Sequence, residues 1–247
     1  MIQCNNTNFD YFEGRNDSYA LFYLYDYSQK LFKEHIDQIY LCSRLIPTLD
    51  IGIVNCTNID NEPICLKYDS AKETKLYLIT SNSLRFRGEF IAFDFLMFFE
   101  QNSNNTRINF TTTFRELTPD TFFEYQSTKS STIVAFLDLT EEKSRIMIPQ
   151  IQQIAFIFSR KPKIGVAFVD CNKYLDFCID KNVEFVPTFR SYNENSFVDF
   201  KGQRYFRDLL AFTNSQLKEF RSANGELNKN AGIIESLKPL VIKFMKD

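Results

Sequence analysis

The chain repeats itself at a spacing of about 114 residues, and this repeat limits what it can fold into. Cys56 recurs as Cys171, 115 residues later, and Cys65 recurs as Cys178, 113 residues later. Two more matches occur in the same order: Phe86-Arg87-Gly88 with Phe200-Lys201-Gly202, and Asn8-Phe9-Asp10 with the segment 120–123. Because this spacing is the usual size of one domain, the sequence predicts two copies of one domain in tandem.

The expected boundary lies in the polar run 101–105, which has the composition of a turn. We therefore predict a first domain over 1–103, a second over 104–220 and a tail over 221–247.

The second copy gives the clearer pattern of helices and strands. Thr118 and Pro119 predict the cap and the first residue of a helix. The apolar runs 132–137 and 163–170 are typical of buried parallel strands. Other elements are predicted at 110–117 (strand), 141–159 (one long helix), 172–181 (short helix), 188–192 with 196–200 (hairpin) and 204–219 (closing helix). This order predicts an α/β fold, with a central mixed sheet and helices on both faces.

Composition excludes several classes of function. A net charge of -2 argues against a nucleic-acid partner, and no apolar run is long enough to span a membrane. The chain has only seven glycines and no glycine-rich phosphate loop, so no cofactor is expected. His35 is the only histidine, which argues against a zinc site, and its charged neighbours predict that it is solvated.

The spacing of one block carries a resemblance to a known family. Val169-Asp170-Cys171, then Cys178, then Val186-Pro187-Thr188 resemble the strand–helix–strand block of the thioredoxin fold, specifically that of the protein disulfide isomerase (PDI) family. Phe200-Lys201-Gly202-Gln203-Arg204 is similar to the end of that domain. The segment 221–247 is similar to the start of the small helical tail domain of some PDI relatives.

This resemblance implies roles for two residues near the end of the block. It implies that Pro187 follows a cis peptide bond and faces the reactive site of the family. It also implies that the backbone of Val186 pairs with a bound peptide as a short added strand.

The resemblance further implies that four cysteines form two structural disulfides, Cys56 with Cys65 and Cys171 with Cys178. Each bridge would stabilise its domain by roughly 2–3 kcal/mol. The alternative is four buried free thiols. Disulfides would imply an oxidising compartment, and we expect the endoplasmic reticulum lumen, with the cytoplasm as the alternative. No secretory signal is visible at the start of the chain, so a signal would have been removed.

The reactive cysteines of the family are missing. Alignment on Pro149 places Glu141 and Ser144 at the two sulfur positions of the C-x-x-C motif, and the equivalents in the first copy lie near Tyr27 and Lys30. Thiol–disulfide exchange requires a thiolate, which none of these side chains supplies. We therefore expect no oxidoreductase activity at the usual site of either domain. Thr74 stands where the first copy would carry the cis proline.

The remaining cysteines and the glycosylation sequons give weaker indications. Cys42 is expected to be a core thiol, and Cys4 an exposed thiol able to form an intermolecular bond. Five N-x-S/T triplets are consistent with the secretory pathway, at Asn5, Asn16, Asn55, Asn104 and Asn109, and Asn55 is expected to be buried.

The sequence thus favours a redox-inactive PDI-family folding factor that binds unfolded or partner polypeptides in the secretory pathway. One alternative is a protein disulfide isomerase that acts through a remaining cysteine pair. A third interpretation is a structural subunit that docks to an active PDI relative through 221–247.

Overall fold

The computed structural model of the chain describes residues 2–5, 7–10, 20–25, 32–70, 74–79, 83–103, 114–193 and 196–227. It divides into two compact units, 1–110 and 111–247. The segment that contains the predicted domain boundary, 104–113, lies outside the described residues, as does 228–247 of the predicted tail. Both of these predictions therefore stay predictions. No helix in the described parts of the chain is long and apolar enough to cross a membrane.

The first unit is a five-stranded mixed sheet with the strand order β1-β3-β2-β4-β5. The first three of these strands are parallel, and β4 and β5 join antiparallel. Its described elements are β1 (Ile2–Cys4), β2 (Ala20–Tyr25), α1 (Phe32–Leu45), β3 (Asp50–Asn55), a 3-10 turn (Ile59–Asn61), α2 (Glu62–Lys67), β4 (Lys75–Ile79), β5 (Ser83–Arg85) and α3 (Ala92–Asn102).

The second unit repeats this topology. Its strands follow the order β7-β6-β8-β9, and a bridge between Glu116 and Phe168 adds one further chain segment beside β7. Its described elements are α4 (Pro119–Ser127), β6 (Ser131–Leu137), α5 (Glu142–Arg145), α6 (Ile148–Phe158), β7 (Ile164–Asp170), α7 (Leu175–Asp180), β8 (Thr188–Asn193), β9 (Ser196–Asp199) and α8 (Phe206–Leu217). The predicted α/β fold with two tandem thioredoxin-like units is confirmed.

Local sequence signals explain where α4 begins. The Thr118 side chain accepts a hydrogen bond from the Thr121 N–H at 3.3 Å, and the Thr121 side chain accepts one from the Thr118 N–H at 2.9 Å. This reciprocal capping satisfies two N–H groups that a helix start leaves unpaired. Pro119 fits the first helical position because its missing N–H has no partner there in any helix.

The helix predicted over 141–159 is two helices, α5 and α6, so that prediction was wrong. The chain breaks at Ile146 and Met147, and Pro149 lies in the first turn of α6. Proline has no N–H to bond to the carbonyl four residues earlier, and its ring clashes with that carbonyl. The tail also differs from expectation where it is described: 221–227 form a turn closed by a bridge between Arg221 and Leu227.

The two disulfides occupy equivalent places in the two units. Cys56 is bonded to Cys65 and Cys171 to Cys178, each with a Cα–Cα distance of 5.8 Å. In each unit the helix that carries the second cysteine is followed, four residues after that cysteine, by a residue with positive φ, Asp69 at 49° and Asn182 at 54°. The bridge therefore joins the end of a central strand to a short helix with the same ending in both copies.

One arginine connects three elements of the second unit. Arg190, with 1% of its surface exposed, lies on β8 and binds both carboxylate oxygens of Asp199 on β9, at 2.5 and 2.9 Å. Its terminal nitrogens also donate to the carbonyls of Lys181 and Asn182, directly after α7, at 2.5 and 3.2 Å. The buried guanidinium thus joins the edge hairpin to the loop that leads towards Val186.

In the first unit two residues make the equivalent contacts. The Tyr77 hydroxyl donates to the Tyr68 carbonyl at 2.9 Å, and the Lys75 ammonium group binds the Asp69 carbonyl and side chain. Tyr68 and Asp69 precede Lys181 and Asn182 by 113 residues, so the same two carbonyls are bound in both copies. This hydrogen bond to Lys75 also lowers the pKa of the exposed Asp69 carboxyl.

Two expectations for single side chains were wrong. Cys4 is buried in an apolar cluster with Phe9 and Val54, and this burial raises the pKa of its thiol to about 11. His35 is packed rather than solvated: its ring stacks on Phe90 with centroids 3.9 Å apart, and Nδ1 lies 3.1 Å from the Tyr23 hydroxyl. Cys42 is buried, as predicted, and burial raises the pKa of its thiol.

We predict that His35 makes the stability of the first unit fall in mild acid. Burial lowers the pKa of His35 to about 4, below its ordinary value of 6.5, so the unfolded chain binds the proton first as pH falls. Unfolding free energy should therefore be constant above about pH 7.5 and decline by roughly 3 kcal/mol by pH 4. In urea titrations His35→Phe should remove most of this decline, whereas an equal slope in both proteins would contradict the prediction.

We further predict that Arg190→Met destabilises the second unit by about 3 kcal/mol, because it leaves the Asp199 carboxylate and two carbonyls without their partner. The control is Arg207→Met, since the Arg207 side chain is largely exposed and lies 3.7 Å from Asp208. That change should alter stability by less than about 0.5 kcal/mol. Equal midpoints for the two variants in urea would contradict the prediction.

Candidate functional site

The register of the second sheet brings several loops to one end. Phe136 near the end of β6 is paired with Thr188 at the start of β8. The chain that follows Leu137 and the chain that precedes Thr188 therefore lie at the same end of the sheet. Cys171 joins them there, because its N–H donates to the Leu137 carbonyl at 2.6 Å. Sequence-predicted residues from three separate segments are thus collected at this end.

The peptide bond between Val186 and Pro187 is cis, and it is the one cis bond within the described ranges. The Val186 side chain packs against the core cluster that contains Cys171 and Cys178. Neither the N–H nor the carbonyl of Val186 has a hydrogen-bond partner among the residues the structure describes. The next carbonyl back, that of Phe185, accepts a bond from the Thr188 hydroxyl at 2.6 Å. One backbone residue beside the cis bond is therefore left with both of its polar groups available.

A cavity of about 550 Å³ lies beside this segment. Phe185 and Thr188, on either side of Val186 and Pro187, line it together with Phe197 of β9. Phe185 has 61% of its surface exposed, so it offers a large apolar contact at the rim. The charged residues of the lining include Lys201 and Arg204, whereas Arg190 and Asp199 neutralise each other. The cavity combines an aromatic rim with a mixed polar lining.

Glu141 and Ser144, at the two positions of the missing sulfurs, lie in a loop that is held by hydrogen bonds. Ser144 is buried, and its hydroxyl oxygen accepts a bond from the Asp138 N–H at 3.1 Å. The Glu141 carboxylate is partly exposed and lies 2.9 Å from the Lys143 ammonium group. The side chain and the N–H of Thr140 bind Asp138 and hold the pKa of that carboxyl below its ordinary value.

Arg145 closes the loop by donating to the carbonyls of Leu139 and Thr140, at 3.2 and 2.6 Å. No sulfur lies in this loop, and the only histidine of the chain belongs to the other unit. The loop therefore holds no thiol for disulfide exchange, and its own unit holds no imidazole base for the Ser144 hydroxyl.

The cysteine pair beside this loop is poorly accessible. Cys171 and Cys178 are both buried and belong to an apolar cluster with Phe122, Phe136 and Val169. Attack on either sulfur requires a thiolate to reach it in line with the bond. The geometry therefore favours a structural role for this disulfide.

The corresponding place in the first unit is different. The predicted positions Tyr27 and Lys30 lie outside the described residues. Thr74, at the proline position, hydrogen-bonds to the side chain of Tyr23, and His35 stands at the position of the helix proline. Burial raises the pKa of Tyr23. An aromatic and imidazole cluster thus fills the site in this copy.

The sequence pattern did not identify two residues that are important for the site. Phe185 belongs to no alternating apolar run, and Arg190 lies on a strand where charged residues are uncommon. A buried arginine can be recognised only through its partners, and those of Arg190 come from two other segments, the loop at 181–182 and Asp199 of β9. The sequon residue Asn55 was expected to be buried and is instead partly exposed, with its side-chain oxygen accepting bonds from the Thr57 N–H and hydroxyl.

Comparison with known proteins gives two sequence relatives. The chain is 27% identical over 205 residues to a probable protein disulfide-isomerase A6 of Medicago sativa, covering 79% of this chain and 55% of the relative. It is 27% identical over 101 residues to protein disulfide isomerase-like 2-1 of Oryza sativa subsp. japonica, covering 40% of this chain and 28% of the relative. No family model matches the chain.

Solved structures show weaker likeness. Full-length ERdj5 matches with 21% identity and a TM-score of 0.37, over 87% of this chain and 30% of ERdj5. The first thioredoxin domain of mouse protein disulfide-isomerase A4 matches with 20% identity and a TM-score of 0.37, over 40% of this chain and 72% of that domain.

The chain spans about half the length of the first sequence relative and less of the second, so the activities of those whole proteins are not transferred to it. The sequence similarity agrees with the repeated strand order and with the block from Val169 to Thr188. The chain is thus similar in sequence to two proteins of the protein disulfide isomerase family.

Proposed function

We propose that the protein is a redox-inactive folding factor that binds an unfolded or partner polypeptide beside Val186. The observation that carries this proposal is the free N–H and carbonyl of Val186, next to a cavity with an exposed aromatic rim. Members of the family that the chain resembles pair this backbone residue with a bound peptide. An incoming chain in extended conformation satisfies both groups through main-chain hydrogen bonds, which tolerate many sequences.

The loop that contains Glu141 and Ser144 supports the redox-inactive part of the proposal. Its hydrogen bonds are made with groups that cannot form a mixed disulfide. The alternative, an isomerase that acts through Cys171 and Cys178, needs access to two sulfurs that are buried in the core. The structural role that we propose for these disulfides also supports an oxidising compartment, the endoplasmic reticulum lumen, as the site of action.

The first test concerns the chemistry. With dithiothreitol as the electron source, the protein should reduce insulin no faster than buffer does, whereas Glu141→Cys combined with Ser144→Cys should give a measurable rate because it supplies both sulfurs. The single variant Ser144→Cys is the matched control and should stay inactive.

Turnover by the unaltered protein that disappears in Cys178→Ser would contradict the redox-inactive assignment. It would establish the alternative, an isomerase that uses the second disulfide.

The second test concerns binding. Phe185→Ser should weaken binding of an alkylated insulin B chain about 5- to 20-fold, as expected for loss of roughly 1–2 kcal/mol of apolar contact. Phe123→Ser is the matched control, because Phe123 is also 61% exposed but lies on α4, away from the cavity lining. Fluorescence anisotropy of the labelled peptide measures both. Equal affinities of the two variants would contradict the proposed site.

A further inference from the structure

Strand β9 forms one edge of the second sheet, and its outward backbone groups can be identified from the register. Phe189 and Phe200 are a hydrogen-bonded pair, since the Phe200 N–H donates to the Phe189 carbonyl at 2.8 Å. Hydrogen-bonded and non-hydrogen-bonded pairs alternate along an antiparallel ladder. The pairs of Phe197 with Tyr192 and of Asp199 with Arg190 are therefore of the non-bonded kind.

It follows that the N–H and carbonyl groups of Phe197 and Asp199 point away from β8. Neither N–H has a hydrogen-bond partner in the part of the chain that the structure describes. Two residues at i and i+2 thus present donors and acceptors to an incoming strand.

The side chains of β9 leave this edge apolar. Phe197 is 48% exposed and Val198 is 44% exposed, and because they are consecutive strand residues they lie on opposite faces of the sheet. The only charged side chain of the strand, Asp199, is paired with the buried Arg190. Native edge strands usually carry unpaired charges, proline or bulges that prevent further pairing. Strand β9 has none of these.

The equivalent edge in the first unit is protected. Ser83, Leu84 and Arg85 of β5 correspond to Phe197, Val198 and Asp199, because the Phe86 N–H bonds across the hairpin as the Phe200 N–H does. The polar Ser83 and the charged Arg85 occupy the positions of Phe197 and Asp199. The two equivalent edge strands of the chain therefore differ in character. Strand β5 is polar and positively charged, whereas β9 is apolar and neutral.

Two cavities flank Phe197 along this edge. One, of about 500 Å³, is lined by Tyr192, Ser196 and Phe197 among others. The other, of about 550 Å³, is lined by Phe197 and Asp199 and continues to Phe185. Side chains on one face of a strand repeat every two residues, or about 7 Å. Successive side chains of an added strand can therefore enter the two cavities on either side of the Phe197 ring.

We propose that β9 is a docking edge for an extended, uncharged segment of another polypeptide, which adds to the second sheet as a further strand. This surface uses backbone groups other than those of Val186, although both sites adjoin the cavity lined by Phe185 and Phe197. The edge is four residues long, which is too short to bury the roughly 1,200 Å² of a stable protein dimer. The occupant that fits it is a short segment bound weakly, rather than a second copy of this chain.

The test uses the full chain and a blocked octapeptide in which threonine alternates with valine or phenylalanine. In nuclear magnetic resonance titrations the amides of Phe197 and Asp199 should shift and gain protection from exchange. The same peptide, N-methylated at every second residue on the edge that faces β9, should bind at least 10-fold more weakly. This comparison uses the unaltered protein, so it does not depend on a variant that folds.

Variants locate the contact. Phe197→Lys should weaken peptide binding at least 5-fold, while Leu84→Lys on the equivalent edge of the first unit should leave it unchanged. The shifts should be centred on Phe197 and Asp199 rather than on Val186, which separates this edge from the Val186 site. Equal binding of the N-methylated peptide, or shifts centred on Val186 alone, would overturn the proposal. Concentration-dependent dimers in sedimentation that Phe197→Lys abolishes would overturn it in favour of a second copy.

Discussion

The second unit depends on one buried charge. A guanidinium group without solvent contact is costly unless its donors are bound, and Arg190 meets this condition with the Asp199 carboxylate and the carbonyls that follow α7. These bonds fix both the loop that leads to Val186 and the exposed strand β9. Both proposed contact surfaces are therefore positioned by the same side chain, although each offers its own backbone groups.

The two copies show how one scaffold was kept while its surfaces diverged. The disulfide that follows β3 or β7 and the residue with positive φ after the short helix occur at equivalent places in both. The surroundings of these features differ between the two units. The first unit has an aromatic and imidazole cluster at Tyr23 and His35, whereas the second has a cis peptide bond with free backbone groups. The core thus specifies the fold, and the loops at one sheet end specify the contacts.

Much of this fold followed from the sequence, for identifiable reasons. The repeat, the buried apolar runs and the Thr118–Pro119 helix start are local or periodic signals, and they predicted the order of strands and helices along the second copy. The break before Pro149 was missed because the apolar pattern continues through it. The burial of Cys4 and His35 was missed because it depends on neighbours such as Phe90, distant in sequence. The role of Arg190 was also missed, because it depends on partners in other segments. The neutrality of the β9 edge was missed with it, because that neutrality results from the pairing of Arg190 with Asp199.

The contrast between Arg190 and the pair Lys75 and Tyr77 has a consequence for how the two halves tolerate change. In the first unit the two carbonyls after the short helix are held by separate residues, so loss of either one leaves the other joint in place. In the second unit a single side chain serves both carbonyls and the neighbouring strand. Substitutions at Lys75 or Tyr77 in the first unit should therefore be tolerated during evolution. A substitution of Arg190 in the second unit removes all of these contacts at once, so this residue is the more constrained.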